Sequence, residues 1–484
     1  MMRANILCLL ILILASDLFA QQEQNRLPEI VTQLPVYARP DSIGRLIYIN
    51  RVFIVGNRIT RDQIVLRELT LRQGDVINSL DLPLILERDK KKLINTRLFN
   101  TVEIRPLELE EGHIDLLIDL NERWYTFPSP IFELSDRNFN EWWQTYDHDL
   151  SRVNYGLRLY QFNMRGRNET LRLTAQFGFQ RRFELSYRFP YIDKKQKHGL
   201  IIDADFTETK NLAFRTVDHR LEFLKADDIL RTTRGGGITY TYRNSFYVSH
   251  ALKVEYRSNS INDTIPSLNS NYYGNDKTTQ RYGMITYQLT SDRRDYVGYP
   301  LRGHYFTFLA AKSGIAAKDD LNKWEASLSY SIFRDLSKNF YISNNFIGYI
   351  STPDDVPYSN YGAMGYRRQF ARGYEIYVIE GTTYALNKLT LKKRIFHKVY
   401  RWNRMPISQF QHIPLSIFIK TYSDLAYVKA YPNYEISNRL ADKLLTSAGG
   451  GVDIVASYDT VLRIEYTFNG EGENGFFFHL RKEF

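Results

Sequence analysis

Cysteine is nearly absent: the 484-residue chain has one, Cys8, and so no intramolecular disulfide. Long apolar runs are missing too. Beyond residue 20 no stretch approaches the roughly 18 uninterrupted apolar residues of a membrane-crossing helix, which excludes a multi-span helical protein. There is no Gly-x-Ser-x-Gly elbow and no phosphate-binding loop. None of the nine histidines stands four residues from another, as a helical metal site requires. No acid–base pair is recognisable either, so the expectation is neither an enzyme nor a metal or cofactor protein. Aromatics, by contrast, are abundant. Tyr 35 and Phe 29 lead an aromatic fraction of 14%, which excludes a disordered chain. Yet mean hydropathy is only −0.39. That combination leaves a large soluble β protein or a β-barrel that crosses a membrane.

The first 20 residues favour the second option. Arg3 is followed by the apolar run Ile6–Ala15, and Ala20 offers a small residue at a cleavage point before Gln21. This is the layout of a signal peptide, and the run is too short for an anchor. Cys8 lies inside it, so the exported chain is expected to be cysteine-free, which suits a large β framework that needs no staples. The formal net charge of +10 does not mark a nucleic-acid binder, because the basic residues alternate with apolar ones instead of forming one patch. Anionic lipid, an acidic partner or a solvated surface remain to account for it.

Residues 21–46, with Pro28, Pro35 and Pro40, read as an extended arm or linker. Residues 47–123 have a texture of their own. Tyr48–Val55 alternates into a strand ending at Gly56-Asn57, and Thr60 is placed to cap a helix over 61–69. A second helix is predicted over 80–97, then strands over 99–107 and 113–121. The order β-α-α-β-β describes a small α+β domain. Residues 124–150 read as a linker.

From about 151 to 484 helical periodicity gives way to strict alternation. Leu171, Leu173, Ala175 and Phe177 oppose Arg172, Thr174 and Gln176; Leu462, Ile464, Tyr466 and Phe468 oppose Arg463, Glu465 and Thr467. Segments apolar on one face and polar on the other suit strands between lipid and a wet lumen. Aromatics crowd the strand ends, as at Tyr187-Phe189-Tyr191, Tyr240-Tyr242 and Phe340-Tyr341, which suits interfacial girdles. Sixteen strands are predicted, the first over 154–162, the fifth over 213–223 and the last over 474–484. The even number suits a closed antiparallel transmembrane barrel. Odd connectors such as 258–279 and 351–377 are long, and even ones such as 179–181 and 244–248 short, as for extracellular loops and periplasmic turns. Two even connectors, 292–302 and 394–413, are longer than that rule predicts. The C-terminal strand carries Phe476, Phe478, Leu480 and Phe484 on one face and ends on an aromatic.

Several motifs carry a resemblance. In 47–123 they are Val52-Phe53-Ile54-Val55-Gly56-Asn57, Gly74-Asp75 and Arg97-Leu98-Phe99-Asn100-Thr101-Val102. In the barrel they are Asn163-Met164-Arg165-Gly166-Arg167-Asn168, a turn motif Asp292, Arg294, Asp295, Pro300 and Gly303, and Arg372-Gly373-Tyr374. In order and position these resemble the BamA/TamA-type outer-membrane assembly and translocation superfamily, or bacterial surface antigens, with one POTRA domain and a sixteen-stranded barrel. The resemblance implies an outer-membrane location with a periplasmic N-terminal domain. It further implies that the sixth extracellular loop folds into the lumen and that its arginine, here Arg372, pairs with acidic residues on the next two strands. Asp424 stands where one partner belongs. The other, a glutamate in the family, falls near Thr390, and the glycine two residues after the aspartate is Ala426.

The resemblance implies contact with outer-membrane lipid, client β-barrel or secreted polypeptides, and accessory periplasmic or lipoprotein subunits, with no nucleic acid and no cofactor. It implies insertion or translocation of clients through a seam between the first and last strands, with Gly156 and Lys482 compatible with a weak seam. One POTRA domain, where the essential assembly protein has five, implies a specialised paralogue. A secretion pore for one dedicated substrate and a passive channel are the alternatives. The basic run from Lys388 to Arg404 is expected at a periplasmic turn, facing anionic headgroups or an acidic partner, or simply solvated.

Overall fold

In the N-terminal domain, alternation builds a sheet and 3.6-residue periodicity covers it. Strand β1 (Leu46–Val55) pairs in parallel with β4 (His113–Glu122), and β3 (Phe99–Glu110) closes antiparallel on β4. Helices α1 (Asp62–Glu68) and α2 (Leu82–Asn95) lay Ile64, Val65 and Leu93 against Leu98, Val102, Ile118 and Leu120. Each fully buried aliphatic side chain here contributes about 1.5–3 kcal/mol. A three-residue strand, β2 (Val76–Asn78), adds to the free edge of β1 and gives the order β2-β1-β4-β3. It is too short for alternation to announce it. Thr60 does not cap α1, whose N-cap is Arg61. Its hydroxyl meets Glu122 at 2.6 Å and Tyr125 at 3.0 Å instead.

The computed structural model describes residues 44–134, 142–143, 147–365, 369–402, 412–432, 439–456 and 460–482. The predicted leader and most of the arm lie outside them. No helix among the described residues is long and apolar enough to cross a membrane. Sixteen strands form one continuous antiparallel sheet. They are β5 (Thr126–Leu134), β6 (Val153–Met164), β7 (Glu169–Gly178), β8 (Gln180–Phe189), β9 (His198–Thr209) and, after an excursion, β12 (Arg231–Arg243). β13 (Val248–Ile261), β14 (Thr279–Asp292), β15 (Gly303–Ser313), β16 (Lys323–Ser337) and β17 (Phe340–Thr352) follow. β20 (Thr383–Arg401), β21 (His412–Lys429), β22 (Leu444–Val455), β23 (Thr460–Asn469) and β24 (Asn474–Lys482) complete it. The first excursion is a separate hairpin, β10 (Asn211–Val217) with β11 (Arg220–Lys225); the second is a two-residue ladder of β18 (Ala363–Met364) and β19 (Ile379–Glu380).

The sheet wears its polarity inside out for a protein in water. Leu173, Phe183, Trp324 and Phe468 are exposed, whereas Thr174, Gln176, Glu465 and Thr467 are buried. Apolar side chains outward and charges inward are what a barrel in lipid requires.

The count of sixteen agrees with the expectation, but its membership differs. Thr126–Leu134, expected as linker, is the first strand and pairs with β6 from Thr126↔Gln161 to Leu134↔Val153. Its Pro128 and Pro130 hide it from strand-reading, because proline counts against a central strand. The expected strand 213–223 is the β10–β11 hairpin, which turns at Asp218-His219, both at positive φ. These two changes cancel in the total and reverse the sidedness of the first four expected connectors. Turn 165–168 therefore faces the N-terminal domain, where Arg61 N donates to Gly166 O at 2.9 Å. Gly166 takes φ +68°, and a Cβ there would stand 2.1 Å from Ile59 O. Tyr191, expected in an aromatic girdle, packs into the core of the N-terminal domain. Tyr341, another expected girdle residue, turns inward onto Phe418.

The same domain is fastened at a second turn. Arg243 clasps buried Glu68 through two bonds of 2.6 and 2.9 Å, and Lys92 lies 3.6 Å over the Phe246 ring. Asn163 donates to Thr60 Oγ1 at 2.8 Å. Burial within this joint pushes the Tyr125 hydroxyl pKa well above its ordinary value. The domain is thus seated against one end of the barrel.

Candidate functional site

Loop six (353–382) is the sixth connector at the far end of the barrel, away from the N-terminal domain. It folds inward because its middle is apolar: Ala371, Tyr374, Tyr377 and Ile379 join Leu386, Ala426, Val428 and Leu445 in one buried cluster. Ala426, where the resemblance implied a glycine, adds its methyl to that cluster.

Arg372 is 8% exposed and Asp424, on β21, 0%. The backbone N–H of Arg372 donates to Asp424 Oδ2 at 2.9 Å and its Nε at 3.0 Å. Its Nη2 also contacts Asp424 Oδ1. Nη1 donates to Thr390 Oγ1 at 3.2 Å, and the guanidinium carbon lies 3.8 Å from the Tyr422 ring centroid. A buried charge persists only when paired and hydrogen-bonded. Thr390 therefore keeps a bond where the resemblance implied a glutamate. Glu465 on β23 restores a second carboxylate, 3.9 Å from Nη1. Alternation had placed Glu465 on the inner face, but nothing local tied it to Arg372.

Gly373 takes φ +83°, and a Cβ would stand 2.9 Å from Thr467 Cγ2. That close approach lets Gly373 O accept from Asn469 Nδ2 at 2.9 Å. The Tyr374 hydroxyl donates to Thr446 O at 3.2 Å and accepts from Gly470 N at 3.1 Å. The tripeptide thus touches β20 to β23.

The turn motif folds as a compact knot. Arg294 doubles back on Asp292, with Nε and Nη2 donating at 2.8 and 2.6 Å. Asp295 Oδ1 accepts from Tyr296 N at 2.9 Å and Leu301 N at 3.0 Å, across Pro300. Gly303, at φ +97°, approaches Arg293 O so closely that a Cβ would lie at 2.0 Å. The knot explains the length of this turn: it lifts buried Tyr299 against Phe418, where its hydroxyl donates to Asp453 at 2.7 Å. Lys420, also buried, contacts Asp453 at 2.5 Å and Glu465 Oε1 at 2.7 Å. A continuous polar chain, Arg372–Glu465–Lys420–Asp453–Tyr299, therefore joins the two motifs through the lumen.

Connector 394–413 is long for a different reason. β20 and β21 continue as a ladder to the pair Arg401↔His412, carrying Lys398 and Arg401 past the sheet, while Lys392 turns inward. Arg404 lies outside the described residues.

Strands β5 and β24 are the two edges of the sheet, and among the described residues each pairs with one neighbour. Gly156, expected at the seam, lies on β6 between Ile131 and Gln176. The edge of β5 is poor in donors. Phe162 N donates to Tyr125 O, so odd residues of β5 face β6 and even ones face the free edge. Pro128 and Pro130 are even, and neither has an N–H. On β24, Phe476 and Phe478 are exposed on the outward face. The Leu480 side chain and Phe484 lie outside the described residues.

Residues 163–484 match the family described as the Omp85 superfamily domain, and residues 47–123 match POTRA, a surface antigen variable number repeat. A curated relative, outer membrane protein assembly factor BamA of Nitratidesulfovibrio vulgaris, is 37% identical over 79 residues, 16% of this chain. The chain spans only 9% of that protein's length. Among solved structures, CdiB from Escherichia coli superposes with a TM-score of 0.56 at 11% identity, over 90% of this chain and 76% of that one. BamA from Haemophilus ducreyi lacking POTRA domains 1–3 gives 0.49 at 16% identity, over 90% and 83%.

Proposed function

The chain belongs to the Omp85 superfamily, an outer-membrane protein with a periplasmic POTRA domain, and from that premise we propose that it passes client polypeptides into or across the outer membrane. The observation that carries this reading is the β5 edge of the sheet, which among the described residues pairs only with β6. An extended client strand binds a sheet by backbone hydrogen bonds, largely whatever its side chains. β5 offers outward carbonyls but lacks donors at Pro128 and Pro130, so closure onto β24 is weakened while a client strand still finds acceptors. The POTRA domain seats beside the base of β5 and presents the outer edge of β3 to the periplasm. Loop six, clamped to β20 through β23, keeps the β24 side of the barrel in shape while the seam parts. The process is non-enzymatic: strands exchange and no covalent bond is made. Client barrels and secreted chains are the substrates, and accessory periplasmic or lipoprotein subunits would deliver them.

The second reading is a secretion pore that threads one dedicated polypeptide. It draws on the charged lumen, where a cavity of about 540 Å³ is lined by Arg231, Glu255, Arg257, Lys323 and Glu325. The test is reconstitution of the chain into vesicles with an unfolded barrel client. Faster acquisition of protease resistance by the client than in empty vesicles supports insertion; no acceleration with any barrel client removes it.

A further inference from the structure

We propose that Glu375, Glu465 and His479 bind one divalent transition-metal ion, Zn²⁺, and that the ion staples loop six to the seam edge. The three residues come from separate elements: Glu375 directly follows the Arg372-Gly373-Tyr374 motif, Glu465 is on β23 and His479 on β24. Spacing along the chain therefore gives no hint of them. One donor atom from each lies within 4.8 Å of the other two. His479 Nε2 is 3.1 Å from Glu375 Oε2 and 3.6 Å from Glu465 Oε2. Tetrahedral Zn²⁺, with bonds of about 2.0–2.2 Å, holds its ligands roughly 3.3–3.5 Å apart, so small shifts bring these atoms into coordination.

The surroundings fit a cation. Glu375 is 2% and Glu465 4% exposed, so two carboxylates are withdrawn from water beside each other. Lys420 occupies Glu465 Oε1 and leaves Oε2 turned to His479. Phe370 stacks on the imidazole at 6.0 Å and 21°, holding its plane. One imidazole nitrogen with two carboxylate oxygens is a borderline donor set that suits Zn²⁺; all-oxygen sites suit Mg²⁺ and Ca²⁺. Three protein ligands leave a fourth position open.

β24 pairs only with β23 among the described residues. An ion here would tie that edge strand to the clamped loop and so couple the seam to metal supply. The binding claim does not rest on client transport; only its consequence for the seam does.

The test uses tag-free protein in micelles, stripped with chelator and titrated with Zn²⁺ by calorimetry. One saturable equivalent is expected, and Glu375→Gln or His479→Gln should each weaken binding at least tenfold. Heat-modifiable migration reports whether the variants fold. Co²⁺ added to the unaltered chain should give the intense visible bands of a tetrahedral site, which needs no variant. Absence of saturable binding, equal affinity in both folded variants, or Mg²⁺ binding as tightly as Zn²⁺ would overturn the site and leave an imidazole ring set between two carboxylates.

Discussion

Replacing Arg372 with alanine strands Asp424. The carboxylate is fully buried and receives the Arg372 backbone N–H at 2.9 Å and its Nε at 3.0 Å. Removing one member of a buried ion pair typically costs about 3–5 kcal/mol, because the other charge stays desolvated. The surviving backbone bond places the loss near the lower end, and loss of the guanidinium over Tyr422 adds up to about 2 kcal/mol. We expect Arg372→Ala to destabilise the barrel by roughly 3–5 kcal/mol. Asp424→Asn should cost less, about 1–3 kcal/mol, because Glu465 at 3.9 Å still faces the guanidinium. The double variant should recover about 0.5–3 kcal/mol relative to the sum of the singles. Unfolding by denaturant in micelles, followed by tryptophan fluorescence with each variant's folded fraction read from gel migration, measures all three. A loss below about 1 kcal/mol for Arg372→Ala, or strict additivity, refutes the clamp.

Two further outcomes are expected. Pro128→Val with Pro130→Val returns two donors to the free edge of β5, each worth about 0.5–1.5 kcal/mol; gel migration should shift to the unfolded form at a higher temperature and client delivery should slow, and unchanged values would remove the prolines from the seam. His219 sits at the turn of the β10–β11 hairpin, where its Nε2 accepts from Leu440 N at 3.0 Å. Burial lowers its pKa below the ordinary 6.5, which Asp218 opposes and Arg439 and Lys443 reinforce. A depressed histidine contributes stability that is fully present above about pH 6.5 and lost as pH falls through the folded value. Protease cleavage within 211–225 should therefore rise in mild acid, and His219→Leu should flatten that pH profile; a profile unchanged by the substitution would count against it.

Much of the fold was legible because lipid and lumen impose a two-residue period on every strand. Leu171 to Phe177 and Leu462 to Phe468 display it openly. It fails where another constraint takes over. β5 carries prolines because it is an edge, and so its pattern reads as linker. The β10–β11 hairpin alternates like a barrel strand because it packs Leu212 and Phe214 against Leu230, Ile261, Ile265 and Tyr272 of the neighbouring strand ends and loop. For the lumen, sequence and resemblance together indicated Arg372 and Asp424, which the fold places in contact. They could not pair Arg372 with Glu465, or link Lys420, Asp453 and Tyr299 into one chain. Those contacts depend on strand register and on a turn that folds upward, and neither leaves a local signature. Leu480 and Phe484 owe their grouping to periodicity alone.

The central claim is that the seam between β5 and β24 must part for clients to pass. Phe132 is 77% exposed on the outward face of β5, and Phe476 and Phe478 share that face on β24. With Cys8 replaced by serine, the chain offers a cysteine-free background for Phe132→Cys combined with Phe476→Cys or Phe478→Cys. The decisive measurement is client insertion into vesicles before and after oxidation of that pair. The seam account predicts arrest when the disulfide forms and recovery on reduction; full insertion through a locked seam would contradict it and direct the client through the lumen.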